Sequence, residues 1–391
     1  MAAQVATAEV GPRGGAEPPP QGPWRRLKRA RQSVKRPLQT AFAAAMVAPL
    51  DRRPRGLADL DALAPERIVV SRTDRIGDLL CGTPLLVALH RRWPDARIVI
   101  IPGAKNRAAV AGLPFLEEGP AFRRDPASWT RLAWWLGRRR FALSVSLRAE
   151  SMAGVWVSAW SRAPVRVATH RTYAAPSCNL ILGADEFHQL RRYAHAAELL
   201  GFPPAELRPV FTVPADAERR GAALAAELLL PAPPDGRPVV GLQIPHRASR
   251  RHAVRAWAPE KVIELARRLG GDGCRVVLCA TGKERLEAAR VAALVPQAVV
   301  APAVPLTVFA ALQRRFDLFV AQYTGTLHLA DAMRVATVAY GLPSQEEGWG
   351  VIGPRSRSIT GPVVAEIPVE SVLAAARALL ARAGPPKGRS A

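Results

Sequence analysis

Two aspartates and two arginines lie together in a short polar segment that follows an apolar run. Residues 72–78 read RTDRIGD, and residues 68–70 before them read IVV. An ionised, well-placed aspartate can act as a general base that takes a proton from a hydroxyl group. Asp78 also lies where a helix is expected to begin, and an aspartate at that position is commonly an N-cap. On this segment alone the cap is the favoured interpretation, and the base is its functional alternative.

The elements around this segment predict a strand, a turn and a helix. Residues 68–70 are the kind of apolar run that a buried parallel strand shows, and apolar residues recur at helical spacing over residues 79–93. Pro84 is predicted in the first turns of that helix, where a missing N–H costs least. Ligands of open α/β sheets bind beyond the carboxyl ends of the strands. The polar segment is therefore a candidate binding site.

Three loops in the second half of the chain carry chemistry suited to phosphate. The loop at residues 324–328 reads TGTLH, where glycine lets the backbone approach a ligand and the N–H groups of a helix start suit an anion. The hydroxyls of Thr324 and Thr326 and the ring of His328 add donors. The loops at residues 245–252 and 281–284 add cations and a carboxylate that could hold a ribose. Each loop alone has the ordinary interpretation of a turn, but the three together favour a nucleotide or nucleotide-sugar site.

The composition is strongly basic. Lys and Arg number 55 against 32 Asp and Glu, which gives the 391 residues a formal net charge of +23. Such a charge favours anionic partners. Nucleic acid is not expected among them, because no helix-turn-helix, aromatic RNA platform or zinc pattern is present. The cysteines form no CxxC pair, so they are predicted to be buried residues of a reducing compartment rather than metal ligands; they are Cys81, Cys178, Cys274 and Cys279.

Strands alternate with helices on both sides of a proline-rich joint. This order predicts an α/β protein with two doubly wound, Rossmann-like domains facing a cleft. The expected divisions are a disordered extension at 1–65, a first domain at 66–205, a linker at 206–237, a second domain at 238–383 and a tail at 384–391.

Residues 24–36 of the extension are rich in Arg and Lys and precede an apolar run too short to span a bilayer. A basic amphipathic segment on an anionic membrane surface is the preferred interpretation. A helix with a solvated basic face explains the pattern about equally well, and a signal peptide is a third interpretation.

From about residue 67 to about residue 354, the chain resembles glycosyltransferase family 9, the heptosyltransferases of lipopolysaccharide core assembly. The segment RTDRIGDLLCGTPLLVALHRRWPDARI is similar to the family's opening strand, R-x-D-x-x-G-D turn and T-P helix. The segment TGTLHLADAMRVATVAYG is similar to D-[ST]-G-x-x-H-x-A-x-A, and RAWAPEKVIELARRL resembles a third, weaker motif. The resemblance implies a GT-B fold and inverting transfer with no metal or other cofactor. It also implies that the first domain takes a lipid acceptor and the second a nucleotide sugar.

Carried over residue by residue, the resemblance implies that Asp78 is the general base on the acceptor hydroxyl. Thr324, Gly325 and His328 match a diphosphate-binding turn, beside Thr326. Arg255 falls where the family tends to have lysine, and Glu284 matches a ribose-binding carboxylate. An acceptor site with a basic rim for phosphorylated sugars is predicted from Arg72, Asp74, Arg75, Lys105 and Arg148, although a generally arginine-rich surface explains the cations as well.

Two departures from the family pattern fall in the donor site. Tyr323 stands where the family has an acidic residue, and the family's H-P-G-x-S loop is replaced by IPHRAS at residues 244–249.

The predicted function is transfer of a sugar, with ADP-heptose the expected donor, onto a lipopolysaccharide core or related phosphorylated glycolipid. The expected location is the cytoplasmic face of the bacterial inner membrane. The alternative is a non-catalytic, membrane-associated family member that has lost donor turnover.

Overall fold

The computed structural model describes residues 37–38, 40–41, 44–46, 48–51, 53–149, 151–170, 177–182, 186–202, 208–229, 237–245, 256–282 and 284–382. The basic segment 24–36, the loop 246–252, Arg255 and the tail 384–391 lie outside the described residues.

The first half of the chain forms a parallel sheet of six strands in the order β3-β2-β1-β4-β5-β6. The strands are β1 (Arg67–Arg72), β2 (Arg97–Pro102), β3 (Leu116–Glu118), β4 (Leu143–Ser146), β5 (Val165–Ala168) and β6 (Leu180–Ile181). The helices are α1 (Leu57–Asp61), α2 (Ile76–Arg92), α3 (Pro126–Gly137), α4 (Met152–Trp160) and α5 (Gln189–Glu198), with a 3-10 helix at Arg107–Gly112. The apolar runs of β1 and β2 are fully buried because helices cover both faces of the sheet.

The second half repeats this plan with the order β12-β11-β10-β7-β8-β9. Its strands are β7 (Val239–Gln243), β8 (Arg275–Cys279), β9 (Ala298–Val300), β10 (Leu318–Gln322), β11 (Ala336–Gly341) and β12 (Ser356–Thr360). Its helices are α6 (Ala215–Leu229), α7 (Pro259–Gly271), α8 (Glu284–Leu294), α9 (Leu306–Gln313), α10 (Gly325–Ala332), α11 (Pro343–Trp349) and α12 (Val369–Arg382), with a 3-10 helix at Val364–Glu366. Helix α6, in the stretch predicted as a linker, packs against α9 and buries Ala217 and Ala225 in the second core.

The predicted fold class is confirmed: each half is a doubly wound parallel sheet. Four strands were not predicted, namely β3, β6, β9 and β12, and they are the outermost strands of the two sheets. Among the described residues, no helix combines the length and the apolar character needed to cross a bilayer.

Helix α2 begins earlier than predicted, and this changes the place of its proline. Because the helix starts at Ile76, Pro84 lies in its interior rather than in its first turns. A proline there leaves the carbonyl four residues before it without its usual N–H partner. The Thr83 hydroxyl donates to that carbonyl, Leu80 O, at 2.6 Å, and accepts from the Val210 N–H at 2.8 Å. The Leu80 carbonyl thus keeps a hydrogen-bond partner, and the bond from Val210 links the helix to the chain segment that connects the two halves.

Candidate active site

The candidate residues cluster where the strand order of each sheet reverses. In the first sheet the reversal lies between β1 and β4, and in the second between β7 and β10. Crevices at such switch points are the usual ligand sites of open α/β sheets. The Arg148 guanidinium bridges the first switch point by its ion pair with Asp74. The Thr324 hydroxyl bridges the second by donating to Gln243 Oε1 at 2.7 Å.

Arg72 lies beneath the two carboxylates of the first site, with only 3% of its side chain exposed. Its Nε lies 2.7 Å from Asp74 Oδ1, outside hydrogen-bonding angles, and its Nη2 lies 3.3 Å from Asp78 Oδ1. Burial disfavours its charge, yet neighbouring groups including both carboxylates raise the pKa of Arg72. The predicted rim position is therefore wrong for Arg72, because it ends a central strand that neighbours cover on both sides. It holds the carboxylates from below.

Asp74 has both carboxylate oxygens paired. Besides the contact with Arg72, its Oδ2 accepts from Arg148 Nη1 at 3.2 Å, and 14% of the Asp74 side chain is exposed. Burial raises the pKa of Asp74, against the opposing effect of Arg72. A carboxylate bound at both oxygens is better suited to positioning than to taking a proton.

Asp78 is placed differently. It lies in the first turn of α2, whose N-cap is Arg75, so the N-cap interpretation is wrong. Its Oδ1 accepts from the Trp349 indole N–H at 3.0 Å, a contact between the two halves of the chain. Its Oδ2 has no hydrogen-bond partner among the described residues. The site therefore contains one oriented carboxylate with an oxygen left for a substrate hydroxyl.

The start of α2 meets the start of α10 at two glycines. A Cβ built on Gly77 would lie 3.1 Å from Gly325 Cα and 2.9 Å from His328 Cδ2. Backbones can approach this closely because neither residue carries a side chain. Asp78, the candidate base, is the residue after Gly77. It therefore lies next to the start of α10, which is predicted to bind a diphosphate.

His328 lies inside this contact, not in open space. Its side chain is 3% exposed, and its Nδ1 lies 3.6 Å from the Cys81 Sγ. Burial lowers the pKa of His328 to about 4, so the ring is neutral at neutral pH. Burial also raises the pKa of the Cys81 thiol, which keeps it protonated. His328 therefore contributes packing and a neutral hydrogen bond between the halves.

A cavity of about 460 Å³ opens beside this contact, at the carboxyl ends of β7 to β10. Volumes of this size are typical of small-molecule sites. From the second half it is lined by Thr324, Gly325, Thr326 and Glu284, and from the first half by Arg75 and Lys105. The structure thus brings six predicted site residues to one cavity, while His328 is not among its lining residues.

Two parts of the cavity were not predicted from the sequence. Gln243 accepts from the hydroxyls of both Thr324 and Thr326, at 2.7 and 3.0 Å, and so orders that turn. The sequence could have indicated Gln243, since it is a polar residue at the end of a buried strand. The apolar wall made by residues 301–304 and Phe309 follows the unpredicted strand β9 and carries no such signal.

Tyr323, which replaces the acidic residue, packs over the end of the neighbouring strand. A Cβ built on Gly341 would lie 2.6 Å from Tyr323 Cδ2. Burial raises the pKa of Tyr323 to about 12, so this position carries no charge at neutral pH. Among the described residues no group of three or more His, Cys, Asp or Glu side chains is arranged to hold a metal ion.

Two doubly wound domains whose ligand edges face each other define the GT-B class of glycosyltransferases. Residues 159–367 match the sequence model of "Glycosyltransferase family 9 (heptosyltransferase)", and the chain belongs to that family. It is a heptosyltransferase-like glycosyltransferase. The matched region begins after the Asp78 turn and includes the Thr324–Thr326 turn.

Solved structures support the fold. A family 9 glycosyltransferase from Veillonella parvula DSM 2008 is 17% identical, with a TM-score of 0.68 over 81% of this chain and 98% of that one. The E. coli ADP-heptose LPS heptosyltransferase II is 20% identical, with a TM-score of 0.64 over 81% and 99%. The E. coli heptosyltransferase WaaC with ADP is 16% identical, with a TM-score of 0.63 over 80% and 99%. At these identities the likeness shows a shared fold. A search of curated protein sequences found no significant match.

Proposed function

We propose that this glycosyltransferase transfers a sugar from a nucleotide-sugar donor to a hydroxyl of a phosphorylated glycolipid, with inversion and with Asp78 as the general base. The observation that carries the proposal is the contact of the Asp78 turn with the start of α10, beside the 460 Å³ cavity. A base, an anion-binding helix start and a nucleotide-sized space meet at one point.

In the proposed reaction the acceptor hydroxyl attacks the anomeric carbon of the donor sugar. Asp78 Oδ2 takes the hydroxyl proton as the new carbon–oxygen bond forms and the bond from carbon to the diphosphate oxygen breaks. The leaving nucleoside diphosphate carries away the bonding electrons. The negative charge of the diphosphate is proposed to lie at the N–H groups of Gly325 and Thr326 and near Arg75 and Lys105. These groups stabilise that charge without a metal ion.

The same cavity suits the rest of a nucleotide. Glu284 lies on its wall and is proposed to accept hydrogen bonds from ribose hydroxyls, while Phe309 and residues 301–304 give an apolar surface for a base. Arg255 is proposed to add a phosphate contact. ADP-heptose is the proposed donor, since the E. coli proteins that share this fold are an ADP-heptose LPS heptosyltransferase and a heptosyltransferase solved with ADP.

On the acceptor side, Arg148 is proposed to attract the phosphates of a lipopolysaccharide core, whereas Arg75 and Lys105, which were predicted for the acceptor, line the cavity proposed for the donor. Arg148 is 47% exposed and pairs with Asp74 at the first switch point. Asp74 is proposed to hold Arg148 in place rather than to react. Arg72 is proposed to act from beneath by fixing the two carboxylates.

Calorimetric titration with ADP, UDP, GDP and their sugars tests the donor assignment. Binding of ADP or ADP-heptose at least about tenfold tighter than the others, a difference of about 1.4 kcal/mol, is the expected result. Equal binding of all three nucleotides would contradict the assignment of an ADP-sugar donor. A preference for UDP or GDP would change the nucleotide of the proposed donor and leave the proposed reaction unchanged. A Glu284→Gln variant should weaken binding of every ribonucleotide. The control Glu287→Gln, three residues later on α8 and not among the residues lining the cavity, should not.

A second candidate function rests on Tyr323. A neutral tyrosine where the family has an acid favours a non-catalytic, membrane-associated protein that no longer turns over a donor. Failure of every nucleotide to bind would favour this candidate, because the cavity would then lack its proposed ligand.

Membrane association is proposed for the basic residues 24–36, on the cytoplasmic face of the inner membrane. Changing Arg25, Arg26, Lys28 and Arg29 together to glutamine should reduce binding to phosphatidylglycerol-containing vesicles at least about tenfold, since each cation near an anionic surface contributes about 1 kcal/mol. Vesicle co-sedimentation measures this. These positions are preferable to a longer deletion, because Met46 packs against the cluster of Val155 and Trp156. Unchanged sedimentation, or equal binding to phosphatidylcholine vesicles, would contradict the proposal.

A further inference from the structure

Trp349 connects the second half of the chain to the carboxylate of Asp78. It is the last residue of α11, and its indole N–H donates to Asp78 Oδ1 at 3.0 Å. Indole is a donor only, so this bond requires an oxygen that carries no proton. The bond therefore holds Oδ1 as an acceptor and limits rotation of the carboxylate.

The indole is itself held from the first half. Phe187 packs edge-on against Trp349, with ring centroids 6.5 Å apart and planes at 73°. In the next residue, the Gly350 carbonyl lies 3.0 Å from His188 Nε2, which is buried. A Cβ on Gly348 would lie 3.2 Å from Phe187 Cε1, so α11 is seated closely on this segment. The position of Trp349 therefore depends on the two halves being together.

We propose that Trp349 is a positioning residue that orients the Asp78 carboxylate when α11 is seated on Phe187 and His188. With Oδ1 held by the indole and by Arg72, the carboxylate cannot rotate freely, and Oδ2 is left for the acceptor hydroxyl. The donor-binding half thereby fixes the base of the acceptor-binding half. The inference rests on the proposed role of Asp78 as the base, but the contact itself is testable without any reaction.

The first test observes the contact directly. In ¹⁵N–¹H spectra of the full-length protein, the indole signal that disappears in Trp349→Phe belongs to Trp349. Asp78→Asn should move that signal, because it removes the charge on the acceptor of the bond. An unmoved signal would overturn the inference whatever the activity of the enzyme.

The second test uses turnover. Trp349→Phe keeps an aromatic ring against Phe187 and removes the N–H. The kcat for transfer from ADP-heptose to truncated lipopolysaccharide core should fall about ten- to a hundredfold, with the KM for donor changed less than about twofold. The other ionisable groups facing Asp78 stay in place; they are Arg72, Asp74, Cys81, Tyr193 and His328.

Trp93→Phe is the matched control. Trp93 caps the far end of α2 and donates to Leu63 O at 3.0 Å, so it loses the same kind of bond away from the site. It should change thermal stability and leave kcat within about twofold of the unmodified enzyme. An equal loss of kcat in both variants, or unchanged kcat in Trp349→Phe, would overturn the inference. In an Asp78→Asn background, Trp349→Phe should have little further effect, whereas additive losses would assign Trp349 a separate role. Retained turnover in Asp78→Asn alone would instead refute the proposed base.

Discussion

Asp78→Asn is expected to lower kcat by about a hundred- to ten-thousandfold, the range that a positioned general base contributes. The amide has nearly the same shape and keeps an oxygen for the Trp349 N–H, but it cannot take the acceptor proton. Nucleotide affinity should stay within about twofold, since Asp78 is not among the residues lining the cavity. Single-turnover kinetics with ADP-heptose and truncated lipopolysaccharide core, together with calorimetry for ADP, measure the two quantities.

Asp74→Asn is the matched comparison, because Asp74 lies in the same turn and also contacts Arg72. Both of its oxygens are already paired with guanidinium groups, so its loss should disturb Arg148 and raise the KM for the acceptor more than it lowers kcat. Either variant removes one of the two carboxylates that pair with buried Arg72 and can therefore lower stability. Thermal melting measures that loss of stability separately from the change in turnover. The opposite ranking, with turnover lost in Asp74→Asn and kept in Asp78→Asn, would transfer the role of base to Asp74.

The inner strands of both sheets could be predicted because they are buried on both faces. Strand β1 contains the apolar run IVV and strand β10 the run LFVA, and such runs are visible without any knowledge of their partners. The outermost strands offer no such pattern. Strand β3 is short and mostly exposed, and every residue of β12 is only half-buried. Local sequence therefore indicates the centre of each sheet but not its edge, since an edge strand is defined mainly by the neighbour it pairs with.

The same distinction holds for the site. Residues that follow buried strands, such as Asp74 and Thr324, could be found because chain order places strand ends at one edge of a sheet. The contact of Trp349 with Asp78 joins residues far apart in the chain and follows from how the two halves pack, so no local pattern predicts it. Arg72 shows the converse. Its charge suggested a surface rim, but its place at the end of a central strand determines that it is buried.

Gly77→Ala is expected to reduce kcat/KM by about tenfold or more while leaving each half folded. Alanine normally favours a helix over glycine by about 0.5–1 kcal/mol. Here the added methyl group would lie 3.1 Å from the Gly325 Cα and 2.9 Å from the His328 ring. The ring has little room to move, since it is 3% exposed and lies against Cys81. Relief must come from separating the starts of α2 and α10, which moves the base away from the donor site. Displacements of about 1 Å can cost about a hundredfold in rate.

Gly137→Ala provides the control, since it also lies in a helix but has no atom within 4 Å of the added Cβ. It should keep full activity, and kinetics with thermal melting will separate its effect from that of Gly77→Ala. Gly325→Ala enters the same contact from the other side, at 3.1 Å from the Gly77 nitrogen, and should reduce activity in the same direction. The double variant should lose less than the sum of the two, because either methyl group alone already separates the helices. Full activity in both single variants would mean that sugar transfer does not require the two helix starts to touch, and the proposed geometry of base and diphosphate would then be wrong.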